Sequence, residues 1–246
     1  GWRTAYLILG GFCLITLVAV AQWMKRDPLG IGLHPDGAVL SNPKDPGQSP
    51  TESVDLPLKR ATRSPQFWIL CLAEFAIFFC LLTTIVHIVP HGSDQGLAPA
   101  AAAAVLAAIG GVSMLGRFVM GMVNDRIAGK RSLLLAMGIL IASLVWLQLG
   151  ARPWMLFLFA VMYGFAHGAL FTVMSPTVAE LFGTGSHGLL FGMVLFSGTL
   201  GGSLGPWLTG YIFDVTGSYR IAFALLLGLA VTGFALIACL RPVSAR

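Results

Sequence analysis

Charge is what this sequence has least of. Asp, Glu, Lys and Arg make up 10% of its 246 residues, against about 25% in a soluble domain. With 57% hydrophobic residues, that deficit excludes a soluble globular domain and indicates an integral membrane protein. The net charge of +5 is therefore no sign of nucleic-acid binding. Cysteine is also scarce: Cys13, Cys71, Cys80 and Cys239 all lie in apolar runs without C-x-x-C spacing, which argues against a metal site or a redox pair. No nucleophile–base pair or phosphate loop suggests an enzyme. No lysine lies in the last apolar run to form a Schiff base, so a retinal-type receptor is not indicated. No cofactor is expected. The chain opens on Gly rather than Met and leads straight into an apolar run, which reads as a truncated start.

Seven runs approach or exceed the roughly 20 apolar residues a span needs: Thr4–Met24, Gln66–Val89, Pro99–Val123, Leu133–Gly150, Trp154–Ala179, Leu189–Phe213 and Ile221–Leu240. None alternates as a barrel strand does, so all are predicted helices. Residues 25–64 hold six prolines and form the one long polar stretch, a linker that cannot build a core. If the linker is inside, eleven of the fifteen Lys and Arg residues lie on inside segments and three outside. The positive-inside rule then places the linker and the C-terminus in the cytoplasm. The first span opens Trp2-Arg3-Thr4-Ala5-Tyr6 and the last is led by Tyr219-Arg220-Ile221-Ala222-Phe223. If that echo marks a parallel repeat of six helices, five spans are missing upstream.

Several patterns converge on one family. Gly121-Met-Val-Asn-Asp125-Arg126-Ile-Ala-Gly129-Lys130-Arg131 resembles the loop signature G-x-x-x-D-R-x-G-R-R of the major facilitator superfamily, with one extra residue before the glycine. Gly201-x-x-x-Gly205-Pro206-x-x-x-Gly210 resembles its glycine–proline span motif, and Phe213-Asp214-x-Thr216-Gly217-Ser-Tyr219-Arg220 its last outward loop. His87-Ile-Val-Pro90 with Asp94-Gln-Gly96, and Gly116-Arg117-Phe-x-x-Gly121, resemble the monocarboxylate transporters and oxalate:formate antiporters.

The resemblance implies an all-α fragment of the major facilitator fold with seven transmembrane helices, span 6 plus spans 7–12. Residues 1–24 would be the last span of the N-terminal half, 25–64 the central linker and 65–246 the C-terminal six-helix bundle. It implies symport or antiport of a small organic anion, with protons, by alternating access with the absent N-terminal half. In that branch the arginine matching Arg117 binds the substrate carboxylate. The monocarboxylate transporters carry an aspartate four residues earlier, where this chain has Ser113, and the second cation of the oxalate:formate antiporter has no counterpart in Leu189–Phe213. Arg-over-Lys usage suggests a bacterial cytoplasmic (plasma) membrane. The alternative is an efflux pump for drugs or another metabolite with no carboxylate site.

The residues themselves bear on these readings. Arg117 lies about 8–12 Å inside the cytoplasmic edge. A cation at that depth faces a cavity or a partner, and its planar fork suits a carboxylate. Glu74, about 9 Å deep, is an expected partner of Arg117 and a candidate proton carrier. Tyr163 and His167, four residues apart and near the midplane, share a helical face and are expected to line the site. His87 is a further proton or gating candidate. Glu180, with Asp125, Arg126, Gly129, Lys130 and Arg131, is expected to close the cytoplasmic face. Gly201, Gly205 and Pro206 allow close packing and bending.

Overall fold

The computed structural model describes residues 2–23, 56–149 and 152–241. It falls into two units, with one helix in the first and all the others in the second. The first holds α1 (Trp2–Trp23); the second holds α2 (Leu58–Ala61), α3 (Pro65–Asp94), α4 (Pro99–Ile127), α5 (Gly129–Leu149), α6 (Pro153–Phe182), α7 (His187–Thr216) and α8 (Arg220–Ala238). Seven of these are long and apolar enough to cross a bilayer, matching the seven expected spans. Most of the expected linker lies outside the described residues.

The helix ends follow local chemistry. Ser64 caps α3, its Oγ accepting from the Phe67 N–H at 3.3 Å, and Pro65 takes the first helical position, where its missing N–H costs nothing. Pro99 and Pro153 open α4 and α6 in the same way. Gly217 ends α7 in the left-handed conformation at φ +65°, which glycine adopts without strain. Several helices outrun the predicted apolar spans: α3 continues through Pro90 to Asp94, and α4 runs to Ile127. Hydropathy marks the hydrocarbon core, whereas a helix persists into the interface until a cap stops it.

In the second unit α3 and α6 are central. α7 and α8 flank α3, α4 and α5 flank α6, and α5 also packs on α8. The core is built from apolar side chains of α3, α5 and α6, including Leu70, Ile77, Leu81, Met137, Leu140, Phe159 and Val173. Lipid is as apolar as these side chains, so helix association relies on close packing of small residues. Two glycine-lined seams supply it, one between α4 and α6 and one between α3 and α7.

Candidate functional site

In the α4/α6 seam the two backbones touch. A Cβ at Gly164 would stand 2.7 Å from the Ile109 carbonyl oxygen, and Cβ atoms at Gly116 and Gly168 would collide with the carbonyls of Phe165 and Ser113. This approach brings Ser113 Oγ to 3.0 Å from His167 Nδ1. One turn along α4, the Arg117 guanidinium lies 5.6 Å from the Phe171 ring centroid, a cation–π distance. Phe171 in turn is 4.9 Å from the His167 ring and 5.1 Å from Phe78 of α3. Ser113 is buried, His167 half-buried and Arg117 exposed. The result is a planar cation held over an aromatic ring, its N–H donors uncommitted among the described residues, beside a hydroxyl–imidazole pair.

Tyr163 stands behind this group. Its ring is 6.1 Å from His167, but it is fully buried and its hydroxyl donates to the Leu81 carbonyl at 2.6 Å, tying α6 to α3. Glu74 belongs to the other seam. It is 2% exposed, and its Cγ would lie 3.0 Å from a Cβ at Gly198 of α7. Among the described residues no hydrogen bond or ion pair engages its carboxyl, and none joins it to Arg117. Contacts from Arg117 towards Glu74 run through Phe171 and Phe78 instead.

The α3/α7 seam is equally tight. A Cβ at Gly201 would strike the Phe75 carbonyl, and one at Gly205 would stand 2.8 Å from the Phe79 carbonyl oxygen and meet Thr83 Oγ1. Further along, His87 Nε2 lies 3.0 Å from the Pro206 carbonyl and Nδ1 3.3 Å from the Tyr219 hydroxyl. A carbonyl only accepts, so Nε2 carries the proton and Nδ1 accepts from Tyr219. Tyr219 stacks on Phe213 and Phe223, and His91 meets Tyr219 and Phe223 edge-on. Burial, with the Asp94 and Asp214 carboxylates nearby, holds the Tyr219 hydroxyl protonated beyond its ordinary range.

At the basic end, both Glu180 oxygens accept from the Gly129 N–H, at 2.9 and 2.8 Å, so α6 supplies an anion to the N-terminus of α5. Lys130 donates to the Ala238 and Leu240 carbonyls at 2.8 and 2.6 Å, capping the C-terminus of α8. Asp125, Arg126 and Arg131 line a cavity of about 670 Å³ together with Lys130 and Glu180. The backbone conformation that favours glycine falls on Ala128, at φ +67°. Gly129 is constrained by space instead: a Cβ there would stand 2.9 Å from Glu180 Oε2. Gly121 is open, with Thr172 Cγ2 its nearest neighbour at 3.9 Å.

Sequence reading missed Phe171, Phe78, His91 and Tyr219. Phe171 is four residues past His167, so helical spacing alone would have placed it on the same face. The His91–Tyr219 contact joins distant elements, and nothing local signals it.

The fold agrees with the comparisons. The sequence pattern of the Major Facilitator Superfamily matches residues 1–150 and 113–246. The chain belongs to that superfamily, and its seven long apolar helices fit a multi-pass membrane protein. Within it, the chain is similar to monocarboxylate transporters. It is 34% identical to monocarboxylate transporter 13 of Rattus norvegicus over 64% of this chain and 39% of the relative. It is 30% identical to monocarboxylate transporter 11 of Homo sapiens over 95% of this chain and 48% of the relative, and 26% identical to monocarboxylate transporter 12 of Xenopus laevis over 97% and 53%. The chain thus spans about half the length, or less, of these relatives.

Proposed function

We propose that this chain is part of a proton-coupled carrier of small monocarboxylates, working as a symporter or exchanger by alternating access. The observation that carries the reading is Arg117: an intramembrane guanidinium with uncommitted donors, held over Phe171 beside the Ser113–His167 pair. A carboxylate can take two parallel hydrogen bonds from such a fork. His167 and Ser113 then contact the rest of the anion, while Tyr163 fixes the wall behind them. Glu74, buried and, among the described residues, without a hydrogen-bond partner, serves as the proton carrier. The loop and glycine–proline motifs at Gly121–Arg131 and Gly201–Gly210 support reading 65–246 as the C-terminal bundle, 25–64 as the central linker and 1–24 as the last span of a preceding half. The basic loops support a cytoplasmic C-terminus.

A second reading, export of lipophilic compounds, has one observation in its favour. An apolar cleft of about 650 Å³ lies between α3 and α7, lined by Phe67, Trp68, Leu189, Met193 and Phe196. Uptake of labelled lactate, formate, oxalate and neutral controls into proteoliposomes under an imposed pH gradient decides between them. The carrier reading expects monocarboxylate accumulation that Arg117→Gln removes. Export of lipophilic compounds, unaffected by Arg117→Gln, would replace it.

A further inference from the structure

Threonines in these helices follow one habit, and among the described residues two buried ones depart from it. Thr84, Thr172, Thr177, Thr199, Thr216 and Thr232 each donate to a carbonyl three or four residues back in their own helix, as mid-helix hydroxyls commonly do. Thr83 and Thr209 do not. Both are 0% exposed, and among the described residues neither Oγ1 has a hydrogen-bond partner. A buried hydroxyl left in that state is destabilising, and such groups in native proteins are commonly met by an ordered water.

The two hydroxyls occupy one stretch of the α3/α7 seam. Thr83 Oγ1 is aimed at Gly205, where an added Cβ would meet it. Thr209 is one turn beyond Gly205 and, by helical periodicity, on the same face as Gly198, Gly202 and Gly205. Pro206 lies between them, and because it has no N–H the Gly202 carbonyl loses its usual helical partner. His87, one turn past Thr83, donates to the Pro206 carbonyl and is linked through Tyr219 to the far end of the bundle. There His91, Asp94, Gln148, Tyr219 and Arg220 line an open polar cavity of about 550 Å³. In the other direction Glu74 sits nine residues before Thr83, about 13 Å along α3, on the same seam against Gly198. Phe78, Phe79 and Leu82 pack against the glycines of α7 in between.

We propose that bending of α7 at Pro206 opens this seam so that Thr83, Thr209 and the Gly202 carbonyl seat water, and that these groups, with His87, form the path by which protons reach Glu74 from the polar cavity. The path is shut in this conformer by the aromatic and leucine side chains between Thr83 and Glu74. Bending of α7 at Pro206 completes it. The proposal deepens the proton-carrier role given above to Glu74 and rests on that reading for its purpose. Its chemistry, proton exchange at a buried carboxyl, is measurable without transport.

The test is infrared spectroscopy of the protein in lipid, following the carbonyl stretch of a protonated carboxyl as the medium is changed to D2O. Glu74→Gln should remove the band and so assign it. Thr83→Val/Thr209→Val, which keeps the side-chain shapes, should slow deuteration of that band roughly tenfold, the kinetic equivalent of one lost hydrogen bond to a buried polar group. Thr84→Val, whose hydroxyl is tied to its own helix, should leave the rate unchanged. An unchanged rate in the double variant, equal slowing in Thr84→Val, or no Glu74-dependent band in the wild type would each overturn the proposal. Normal deuteration behaviour in a protein that moves no carboxylate would sink the transport reading and leave this one standing.

Discussion

The two glycine seams are built alike and finished differently. In the α4/α6 seam both helices contribute glycines, Gly116 on one side and Gly164 and Gly168 on the other. Ser113 is buried there and engages His167. In the α3/α7 seam the close-approach glycines, Gly198, Gly201, Gly202 and Gly205, all lie on α7. There Glu74, Thr83 and Thr209 are buried without hydrogen-bond partners among the described residues, and Pro206 interrupts the ladder of α7. A seam whose buried polar groups are met is a rigid platform; one that leaves them unmet beside a proline is suited to hydration and bending. Under the proposed function the first seam holds the anion on a fixed cation and the second handles the proton.

The comparison can be broken first at the glycines. Gly168→Ala and Gly201→Ala each drive a Cβ into a backbone carbonyl that cannot yield. Both should lose about 3 kcal/mol or fail to fold. Gly202→Ala meets the Leu82 side chain, Cγ at 3.1 Å, which can rotate, so its loss should be about 1 kcal/mol. Thermal unfolding in detergent ranks the three. If Gly202→Ala is the worst, the backbone contact is not what sets these seams.

A smaller effect is expected at the basic end. Glu180→Ala strands the Gly129 N–H and removes an anion from the N-terminus of α5, a loss of about 1 kcal/mol readable in the same melts. Ser113→Ala should cost under about 1 kcal/mol of stability yet weaken anion binding by roughly the several-fold worth of one hydrogen bond, because His167 loses the partner that orients it. Anion binding at the wild-type affinity would remove Ser113–His167 from the site. Smallest of all, Ala128→Gly relieves a positive φ and should stabilise the loop by up to about 1 kcal/mol.

The number and kind of spans were legible because an apolar run of about 20 residues has few other uses. Their ends were not, since caps such as Ser64 and Gly217, rather than hydropathy, stop the helices. Arg117, Glu74, His87 and His167 stood out as polar groups in apolar runs, but depth does not fix a helical face. Glu74 and Arg117 were expected to pair from their matching depths, yet they lie on different seams. Tyr163 shares a face with His167 as the four-residue spacing requires. Its hydroxyl nonetheless turns to the Leu81 carbonyl, because α6 is central and is buried on more than one side. The loop signature placed its glycine at 129, whereas the strained backbone falls on Ala128. A sequence pattern records residue types, not the dihedral angle each position must adopt.

The division of labour between the seams is tested most directly by two transport assays on Arg117→Gln and Glu74→Gln side by side in proteoliposomes. One assay measures exchange of labelled for unlabelled monocarboxylate with no pH gradient; the other measures accumulation driven by a gradient. Arg117→Gln should lose both, by roughly 30- to 100-fold, the worth of a charge-assisted hydrogen-bonded pair. Glu74→Gln should keep exchange and lose gradient-driven accumulation. Full exchange by Arg117→Gln, or accumulation by Glu74→Gln at the wild-type level, would contradict the assignment of anion to one seam and proton to the other.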